Sequence, residues 1–424
     1  MLVWIITVGE PLPIDGKNSR LLRSGLLANS LVKKGHDIVF WTSTFNHTNK
    51  THRDDADRLI KLDDKYQLYL IKGLGYKKNI SVQRVKDHRY VAKRFAALAL
   101  TMPRPDIIVC SLPIIELCDE ATKLGKLWDV PVVLDARDMW PDIFVNVFPP
   151  IFRKIAKKTI FASIFSQTYR ACQNASAIIG ITPKFVEWAL TYTNREIKTT
   201  DRDFPLGYSE TNINESDLLA AHEFWKTLGV EKNDGSFNIC LFAYIGRMID
   251  MPTIISASKK LLKTGYPHRF IICGEGDMLK EYKYLAEDCP NLLFPGWIDG
   301  AKIKALMQLS HVGLLPYRNE PDFLMSIPNK PIEYMSGKLP ILSSLGGTIG
   351  QLLEEEKCGM VYTEGDPNSL FEKAEYLFNN PGSLNSMSKK AYALYQQRFV
   401  ADKVYSELVN YLEELTVIHK NNKI

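Results

Sequence analysis

Cysteine is sparse in this 424-residue chain and follows no regular pattern. The seven cysteines are scattered, odd in number and include no C-x-x-C pair. A disulfide framework or a structural zinc site requires cysteines at short, paired spacings, so the sequence predicts neither. Scattered free cysteines are typical of a reducing compartment, which favours a cytoplasmic protein.

Long apolar runs are absent as well. No uninterrupted stretch reaches the roughly 20 apolar residues that a membrane-spanning helix requires. The apolar start, Met1 to Val8, is followed by Glu10 and has no basic region or small-residue cleavage site. It therefore predicts a first strand and not a signal peptide. Any contact with a membrane is expected to be peripheral.

Neither charge nor composition is extreme. The formal net charge is +5, with 46% hydrophobic and 24% charged residues. Domains that bind nucleic acid usually carry a stronger basic stripe, so nucleic acid is not an expected partner. At 424 residues the chain exceeds the size at which one hydrophobic core stops growing, which predicts two domains.

Short runs rich in valine, isoleucine and leucine alternate with longer helical segments. The strands expected in the first half are Leu2 to Val8, Asp37 to Thr42, Asp106 to Cys110, Val132 to Asp135 and Ala177 to Ile181. Those expected in the second half are Asn238 to Ile245, Phe270 to Cys273, Asn291 to Phe294, His311 to Leu315, Leu339 to Ser343 and Met360 to Tyr362. This alternation predicts an α/β fold of two doubly wound, Rossmann-like domains that face a cleft.

A polar stretch between the two strand series predicts where the domains divide. We expect one domain over residues 1–205, a linker region over 206–235 and a second domain over 236–395. The last segment, 396–424, is expected to form a helix that crosses back to the first domain.

Two glycine motifs follow strands of the second series. Gly246-Arg247 comes directly after the first of them, where a turn brings backbone close to a phosphate and the arginine adds a charge-assisted hydrogen bond. Gly274-Glu275-Gly276 lies between a strand and a helix, where glycine removes side chains from backbone that touches a ligand. Each motif alone also occurs in ordinary turns, so neither is specific by itself.

The segment from Pro328 to Glu333 carries the most chemical information. Pro331 suits the first turn of a helix, so the amides around Asn329 are expected to face outward as an anion site. A diphosphate fits there, with Lys330 as a point charge. Glu333, one turn further along, is placed to accept two hydroxyl hydrogen bonds, as a carboxylate does when it holds a ribose. The alternative is a capped surface helix with a solvated glutamate.

Four features, taken in order, resemble the GT-B retaining glycosyltransferases of family 4, particularly the bacterial polysaccharide and O-antigen branch. They are Gly16 with Arg20 and Gly35-His36-Asp37, the run from Asp135 to Asp142, Gly246-Arg247 with Gly274-Glu275-Gly276, and Pro328-Asn329-Lys330 through Glu333 to Gly337. The resemblance spans nearly all of the chain. It implies metal-independent, retaining transfer of a sugar from a nucleotide sugar, with a UDP-sugar as the expected donor. The implied acceptor is a glycan or a polyprenyl-diphosphate-linked sugar.

The resemblance also implies roles for individual residues, with the acceptor bound by the first domain and the nucleotide sugar by the second. The implied catalytic residues are Asp138, Arg247 and Lys330. The implied donor-binding residues are Gly246, Gly274, Glu275, Gly276, Pro328, Asn329 and Glu333. The implied acceptor-binding residues are Gly16, Arg20 and Arg137. No metal ligand and no cofactor are expected, because the nucleotide sugar is itself the substrate.

The chain departs from the family pattern in three places. The family's Glu-x7-Glu pair has Met325 at its first position, so Glu320 or Asp322 would have to compensate. The family's lysine after Gly-Arg is missing, which leaves Lys330 to carry that charge. A histidine common in the first domain is replaced by Arg137 and Asp138, for which a structural ion pair is an alternative role.

One segment, Ile143 to Val186, contains no acidic residue. Basic and aromatic side chains fall on one half of its helical wheel, namely Arg153, Lys154, Lys157, Lys158, Phe161 and Phe165. Such a face is typical of a helix that lies on anionic lipid. We therefore expect a peripheral location at the inner face of the plasma membrane; ordinary packing against a neighbouring helix is the alternative.

Two other functions fit the same architecture. A nucleotide-sugar 2-epimerase would need acid and base side chains beside the donor sugar, and the sequence offers no obvious histidine there. A non-catalytic, membrane-associated scaffold would bind no nucleotide. Thermal stabilisation by a panel of nucleotide sugars separates these hypotheses from a transferase.

Overall fold

The computed structural model describes residues 1–16, 19–79, 81–146, 148–210, 212–231 and 234–421. The chain forms two compact units. The first combines Met1–Gly207 with Ala401–Ile424, and the second is Tyr208–Val400. In the ranges just given, no helix is both long and apolar enough to cross a bilayer.

The first unit is built around an eight-stranded sheet. Its elements up to residue 207 are β1 (Leu2–Ile6), α1 (Arg23–Lys33), β2 (Asp37–Ser43), β3 (Phe45–Asn46), β4 (Thr51–His52), β5 (Arg58–Lys61), β6 (Tyr66–Ile71), α2 (Val82–Ala99), β7 (Ile107–Leu112), α3 (Ile115–Trp128), β8 (Val132–Ala136), α4 (Asp142–Asn146), α5 (Pro150–Lys158), α6 (Ala162–Asn174), β9 (Ala177–Gly180), α7 (Pro183–Leu190) and β10 (Arg202–Asp203). The strand order is β10-β9-β8-β7-β1-β2-β6-β5, and only β5 runs antiparallel to its neighbour. Strands β3 and β4 form a separate antiparallel pair.

The second unit is built around a six-stranded parallel sheet. Its elements are α8 (Glu215–Thr227), β11 (Phe237–Phe242), α9 (Met251–Lys263), β12 (His268–Cys273), α10 (Leu279–Leu285), β13 (Leu292–Gly296), α11 (Gly300–Leu309), β14 (Val312–Leu315), α12 (Pro321–Met325), α13 (Asn329–Ser336), β15 (Ile341–Ser343), α14 (Gly347–Glu356), β16 (Gly359–Val361), α15 (Pro367–Asn379), α16 (Pro381–Leu394) and a π-helical turn (Tyr395–Phe399). The strand order is β13-β12-β11-β14-β15-β16.

The last helix, α17 (Ala401–Asn421), returns to the first unit. Its apolar face shares a core with α1, where Leu408 and Leu412 lie among the same buried residues as Leu27 and Leu31. The helix therefore covers apolar surface that the first 207 residues alone would leave exposed to water.

The α/β fold expected from the sequence is confirmed, because hydrophobic runs on both sides of a parallel sheet are buried and easily detected. Every expected strand is present, with ends shifted by a few residues. Strand β5, at one edge of the sheet, and its neighbour β6 were not expected from the sequence. Strand β5 is only four residues long and begins and ends with a basic residue. The expected linker, 206–235, contains α8, which is fixed to the second unit by a 2.9 Å hydrogen bond from Trp225 Nε1 to Lys302 O.

Candidate functional site

The donor-side candidates of the second unit lie at the carboxyl edge of its sheet. They occupy the loops after β11 and β12 and the start of α13, which follows β14. Because parallel strands end at the same edge, these segments come together despite their separation in sequence. Backbone hydrogen bonds join the loops: Ile245 donates to Glu275 O at 2.8 Å, and Asp250 donates to Pro316 O at 2.8 Å.

Glu333 is the candidate residue with the best-defined contacts at this edge. The residue is only 3% exposed, and its Oε2 accepts a 3.1 Å hydrogen bond from Lys330 Nζ. Tyr208 Oη donates to the other carboxylate oxygen at 3.4 Å. Lys330 Nζ also lies 4.4 Å from the centre of the Phe242 ring. A buried carboxylate needs a partner, and this one has both a cation and a hydroxyl.

Helix α13 is held in place by the residue that comes directly after Glu333. Tyr334 Oη donates to the carbonyls of Cys240, at 3.3 Å, and Leu314, at 3.1 Å. Its ring lies against Gly313, where a Cβ would come within 2.4 Å of Tyr334 Cγ. These contacts join α13 to β11 and β14, so the position of Glu333 is fixed by the core of the unit.

The start of α13 supplies backbone donors. Pro328 is the N-cap and Asn329 is the first helical residue. The first three amides of a helix have no partner within it, and Pro331, the third residue, has no N–H. The amides of Asn329 and Lys330 are therefore the donors that α13 offers to an anion.

The Gly274-Glu275-Gly276 turn owes its glycines to close backbone packing. A Cβ at Gly274 would lie 1.8 Å from Ala243 O, and one at Gly276 would lie 2.2 Å from Ile245 O. Gly274 also has a positive φ of 136°. From the sequence we expected these glycines to allow ligand approach, whereas in the structure they let this turn pack on the chain that leaves β11.

Arg247 and Glu275 present exposed side chains at the same edge, and Gly246 is buried beneath them. The loop that carries Arg247 is held by Arg318, whose Nε donates to Arg247 O at 3.1 Å. Arg318 Nη2 also lies 3.8 Å from Asp250 Oδ1. Sequence reasoning missed both Arg318 and Tyr208. A basic residue shortly after β14 is a signal for Arg318, but no pattern marks Tyr208.

Met325, which replaces the family's first glutamate, is the last residue of α12. Its carbonyl accepts a 3.2 Å hydrogen bond from Thr348 Oγ1. Glu320 and Asp322 lie at the opposite end of this short helix, with Glu320 as its exposed N-cap. A compensating role for either carboxylate stays a prediction.

In the first unit, Arg137 belongs to a buried network of ion pairs. Its guanidinium contacts Glu10, lies 2.7 Å from Asp135 Oδ2 and donates to Ser24 Oγ at 2.9 Å. Arg23 Nε donates to the same Asp135 oxygen at 2.8 Å. The network ties β8 to α1 and to the loop after β1, which favours the structural role for Arg137 over direct contact with an acceptor.

The network keeps Asp135 and Arg137 charged. Burial alone would raise the pKa of Asp135, but Arg137 and Arg23 oppose it and the pKa is lowered. Burial would likewise lower the pKa of Arg137, but Asp135 and Glu10 raise it. Both groups therefore carry their charges in the folded unit.

The other acceptor-side candidates lie in loops at the carboxyl edge of the first sheet. Asp138 is half-buried after β8, and its Oδ1 accepts a 2.8 Å hydrogen bond from Met139 N. Gly16 has a positive φ of 117°, which suits glycine, and Arg20 is exposed. Residues 17 and 18 between them lie outside the described part of the chain.

The side chains proposed for membrane contact separate into three groups by their exposure. Lys154, Lys157 and Lys158 are exposed. Phe165 is only 8% exposed and stacks on Tyr192, so it cannot insert into a lipid surface. The remaining two are partly buried: Arg153 donates to backbone carbonyls and Phe161 packs on other aromatic rings.

Other apolar side chains, and not Phe161 and Phe165, are exposed on and next to α5. These are Ile151, Phe152, Ile155 and Ile160, which are 76%, 52%, 60% and 67% exposed. We refer to them, with Lys154 and Lys158, as the α5 face. Helical periodicity alone did not distinguish this outward face from the inward one, because both carry apolar residues.

Among the described residues, no group of three or more histidine, cysteine, aspartate or glutamate side chains is arranged to hold a metal ion. All seven cysteines are buried as free thiols.

Comparison with known proteins agrees with this geometry. Residues 231–394 match the family model described as Glycosyl transferases group 1. A stretch of 168 residues is 27% identical to WcaL of Escherichia coli (strain K12), a candidate colanic acid biosynthesis glycosyltransferase. That alignment covers 38% of this chain and 41% of WcaL.

Two solved structures resemble the chain over almost its whole length. Sucrose-phosphate synthase from Thermosynechococcus elongatus has a TM-score of 0.72 at 14% identity, and the match covers 98% of this chain and 99% of that one. Anabaena HepE in complex with UDP-glucose has a TM-score of 0.64 at 15% identity, covering 98% and 100%. The second unit thus contains a glycosyl transferases group 1 domain, and the chain has the GT-B fold. The family match confirms the expected glycosyltransferase domain, and the structural matches confirm the expected fold.

The ion-pair network generates a prediction for stability. Asp135→Asn leaves two buried arginines without their shared carboxylate, so we expect a loss of about 3 to 5 kcal/mol in the free energy of unfolding. Urea denaturation at neutral pH, monitored by intrinsic fluorescence, measures this difference. Asp64→Asn, which removes an exposed ion pair with Lys61, is the matched control and is expected to leave the midpoint unchanged.

The same variant has a predicted pH dependence. Because the folded-state pKa of Asp135 is lowered, its contribution is fully present above the unfolded pKa of about 4 and is lost as the pH falls through the folded value. The stability difference between wild type and Asp135→Asn should therefore shrink only below about pH 4. A difference that instead shrank as the pH rose above neutrality would contradict the ion-pair assignment.

Proposed function

We propose that this protein is a metal-independent, retaining glycosyltransferase that uses a nucleotide sugar, specifically a UDP-sugar, as its donor. The acceptor is a glycan or a sugar carried on a polyprenyl diphosphate, in the synthesis of a bacterial surface polysaccharide. The observation that carries the donor assignment is the buried Glu333, paired with Lys330 at the start of α13.

The ribose and the diphosphate of a nucleotide sugar each have suitable partners at the edge of the second sheet. Glu333 is proposed to accept the ribose hydroxyls. The amides of Asn329 and Lys330 and the Lys330 ammonium bind the diphosphate, as helix starts commonly do. The exposed Arg247 adds a second charge from the loop after β11. HepE, a structural neighbour, is described with UDP and with UDP-glucose, which supports this choice of donor.

The proposed reaction breaks the bond between the anomeric carbon and the diphosphate oxygen while the acceptor oxygen forms a bond on the same face. The acceptor proton passes to the departing diphosphate, so no protein base is needed. The main task of the protein is to stabilise the growing negative charge with fixed cations and amides. Arg247 and Lys330 perform this task, and Asp138 is proposed to contact the donor or acceptor sugar.

The 2-epimerase alternative fits the structure less well. In the second unit, His268 begins β12 and His311 precedes β14, so both lie at the amino edge of the sheet, opposite the donor edge. His222 lies on α8, where its ring contacts Gln308. These histidines are therefore not placed to exchange protons with a donor sugar.

Glu333→Gln is expected to weaken UDP binding by about 1 to 3 kcal/mol, because the amide replaces one acceptor oxygen by an NH2 donor and removes the ion pair with Lys330. Isothermal titration with UDP measures the change. Glu354→Gln, on the exposed side of α14, is the matched control and should bind UDP as wild type does. Equal affinities for all three proteins would remove Glu333 from the site.

Arg247→Ala and Lys330→Ala are expected to reduce turnover more than substrate affinity, since both charges act most strongly as the diphosphate departs. Initial-rate kinetics with a UDP-sugar separates kcat from KM. Addition of a chelator tests metal independence and should leave the wild-type rate unchanged. Effects confined to KM, or a rate abolished by the chelator, would refute the proposed mechanism.

We further propose that the α5 face docks on the anionic inner surface of the plasma membrane. Each basic residue near such a surface contributes about 1 kcal/mol, and exposed apolar side chains add insertion into the lipid. The exposed apolar residues next to Lys154 and Lys158 provide both terms on one helix.

Vesicle binding tests this surface. Replacing Ile151, Phe152 and Ile155 by serine and Lys154 and Lys158 by glutamine should abolish salt-sensitive binding to phosphatidylglycerol vesicles. Lys86→Gln/Lys93→Gln, which removes two exposed lysines from α2, should retain it. A folded five-residue variant that still bound the vesicles would disprove membrane docking through α5.

A further inference from the structure

A second group of basic side chains lies in the first unit, away from the residues that sequence reasoning selected. His47 and Lys50 are in the turn between β3 and β4, and Arg84 is in the first turn of α2. They surround Tyr76, which lies after β6. His47 Nδ1 lies 2.6 Å from Tyr76 Oη, and Lys50 Nζ and the Arg84 guanidinium carbon lie 5.0 and 5.5 Å from the centre of its ring. We call His47, Lys50 and Arg84 the cation cluster.

The cluster rests on buried aromatic rings. Tyr76 is 6% exposed and Trp140, in the loop after β8, is 7% exposed. The Arg84 guanidinium also lies 4.5 Å from the Trp140 ring centre, so it is placed over two aromatic faces. The three basic side chains themselves are partly exposed. A ligand can therefore reach the cations while the rings keep them in position.

The cations of the cluster have no carboxylate partner in the described ranges. Lys50 Nζ donates to the side-chain amide of Asn79, and Arg84 Nη1 donates to Asn79 O at 3.0 Å. The nearby carboxylate of Asp87 instead accepts the amides of Leu74, at 2.7 Å, and Gly75, at 2.8 Å. A purely structural cluster would normally pair such cations with acids, because like charges repel one another.

The titration behaviour of the cluster agrees with an excess of positive charge. Burial, together with Lys50 and Arg84, lowers the pKa of His47 to about 4. Burial and Arg84 lower the pKa of Lys50, and burial lowers that of Arg84 despite the opposing fields of Tyr76 and Asp138. A bound anion would relieve this repulsion.

A row of aromatic side chains leads from the cluster to the α5 face. The Trp140 ring lies 4.6 Å from that of Phe144, which lies 6.2 Å from Phe161. Phe148 packs on Phe161 at 6.0 Å, and α5 begins at Pro150. Phe144, Phe148 and Phe161 are each partly exposed. The row offers apolar contact between the cations and the exposed residues of α5.

We propose that the cation cluster binds the phosphate of a phosphorylated acceptor whose lipid chain lies along the aromatic row toward the α5 face. This inference rests on the proposed function, and it identifies the acceptor class as a phosphate-linked or diphosphate-linked lipid. Lys50 and Arg84 supply charge-assisted hydrogen bonds, His47 adds a further donor or acceptor, and Trp140 positions the guanidinium. Asp138 comes two residues before Trp140, whose ring faces the Arg84 guanidinium.

Titration of the full chain with inorganic pyrophosphate in the presence of UDP tests the anion site. Lys50→Gln/Arg84→Gln should bind pyrophosphate about tenfold more weakly than wild type, or worse, as expected when two charge-assisted contacts are lost. Lys86→Gln/Lys93→Gln removes the same charge from exposed positions of α2 and should bind normally. Equal affinity in wild type and Lys50→Gln/Arg84→Gln would overturn the proposal.

Arg84 packs on two rings, so its replacement could unfold the first unit. Lys50→Gln alone and Arg84→Lys avoid this problem, because Lys50 is less buried and lysine keeps the charge at 84. Lys50→Gln should weaken pyrophosphate binding several-fold with an unchanged circular dichroism spectrum, and Arg84→Lys should retain most of the affinity. Full affinity in Lys50→Gln, or none in a folded Arg84→Lys, would contradict a site based on charge.

Two further arms identify the source of the phosphate and separate this inference from the donor site. Polyprenyl phosphate in phosphatidylcholine nanodiscs should bind more tightly than glucose 1-phosphate, and Phe144→Ser should weaken only the former. Preference for the free sugar phosphate would overturn the lipid assignment.

The Glu333→Gln variant should lose UDP affinity but keep pyrophosphate affinity measured without UDP. Loss of both in that variant would show that pyrophosphate reports the donor site alone.

Discussion

Glu333 and Lys330 form an ion pair within the first turns of α13, and the pair depends on the packing of this part of the helix in the second unit. Inside the second unit, the Glu333 carboxylate accepts hydrogen bonds from the Lys330 ammonium and the Tyr208 hydroxyl, and these contacts offset the cost of burying it. Tyr334 anchors the helix to two strands through their carbonyls, and Gly313 leaves space for its ring. The packed core of the second unit thereby fixes the position of the Glu333 carboxylate at the edge of the sheet.

The two units use their carboxyl edges differently. In the second unit, a helix start and the loop after β11 present the backbone amides, Lys330 and the exposed Arg247 that are proposed to bind a diphosphate. In the first unit, Asp135 forms salt bridges with Arg23 and Arg137. Lys50 and Arg84 of the cation cluster instead donate to Asn79, and among the described residues no salt bridge joins them to a carboxylate. The contrast between satisfied and unsatisfied charge is what distinguishes structural ion pairs from candidate binding groups.

The sequence predicted the parallel sheets well because buried hydrophobic runs are visible without knowledge of the fold. It also located Glu333 and Lys330, since a proline near a helix start fixes where the first turn and its outward-facing amides lie. It could not find Tyr208 or Arg84, whose roles depend on contacts between distant segments. Periodicity likewise failed to separate Phe165, which is buried, from Phe152, which is exposed, because both lie on helices with two apolar sides.

Hydrogen–deuterium exchange of the full chain with and without UDP tests the central claim most directly. We predict slower exchange at the start of α13, around residues 327–332, and in the loops after β11 and β12, because the diphosphate and ribose contact these segments. In the Glu333→Gln variant the same protection should require a higher UDP concentration. UDP that protected only the first unit, or no segment at all, would contradict the donor site described for this protein.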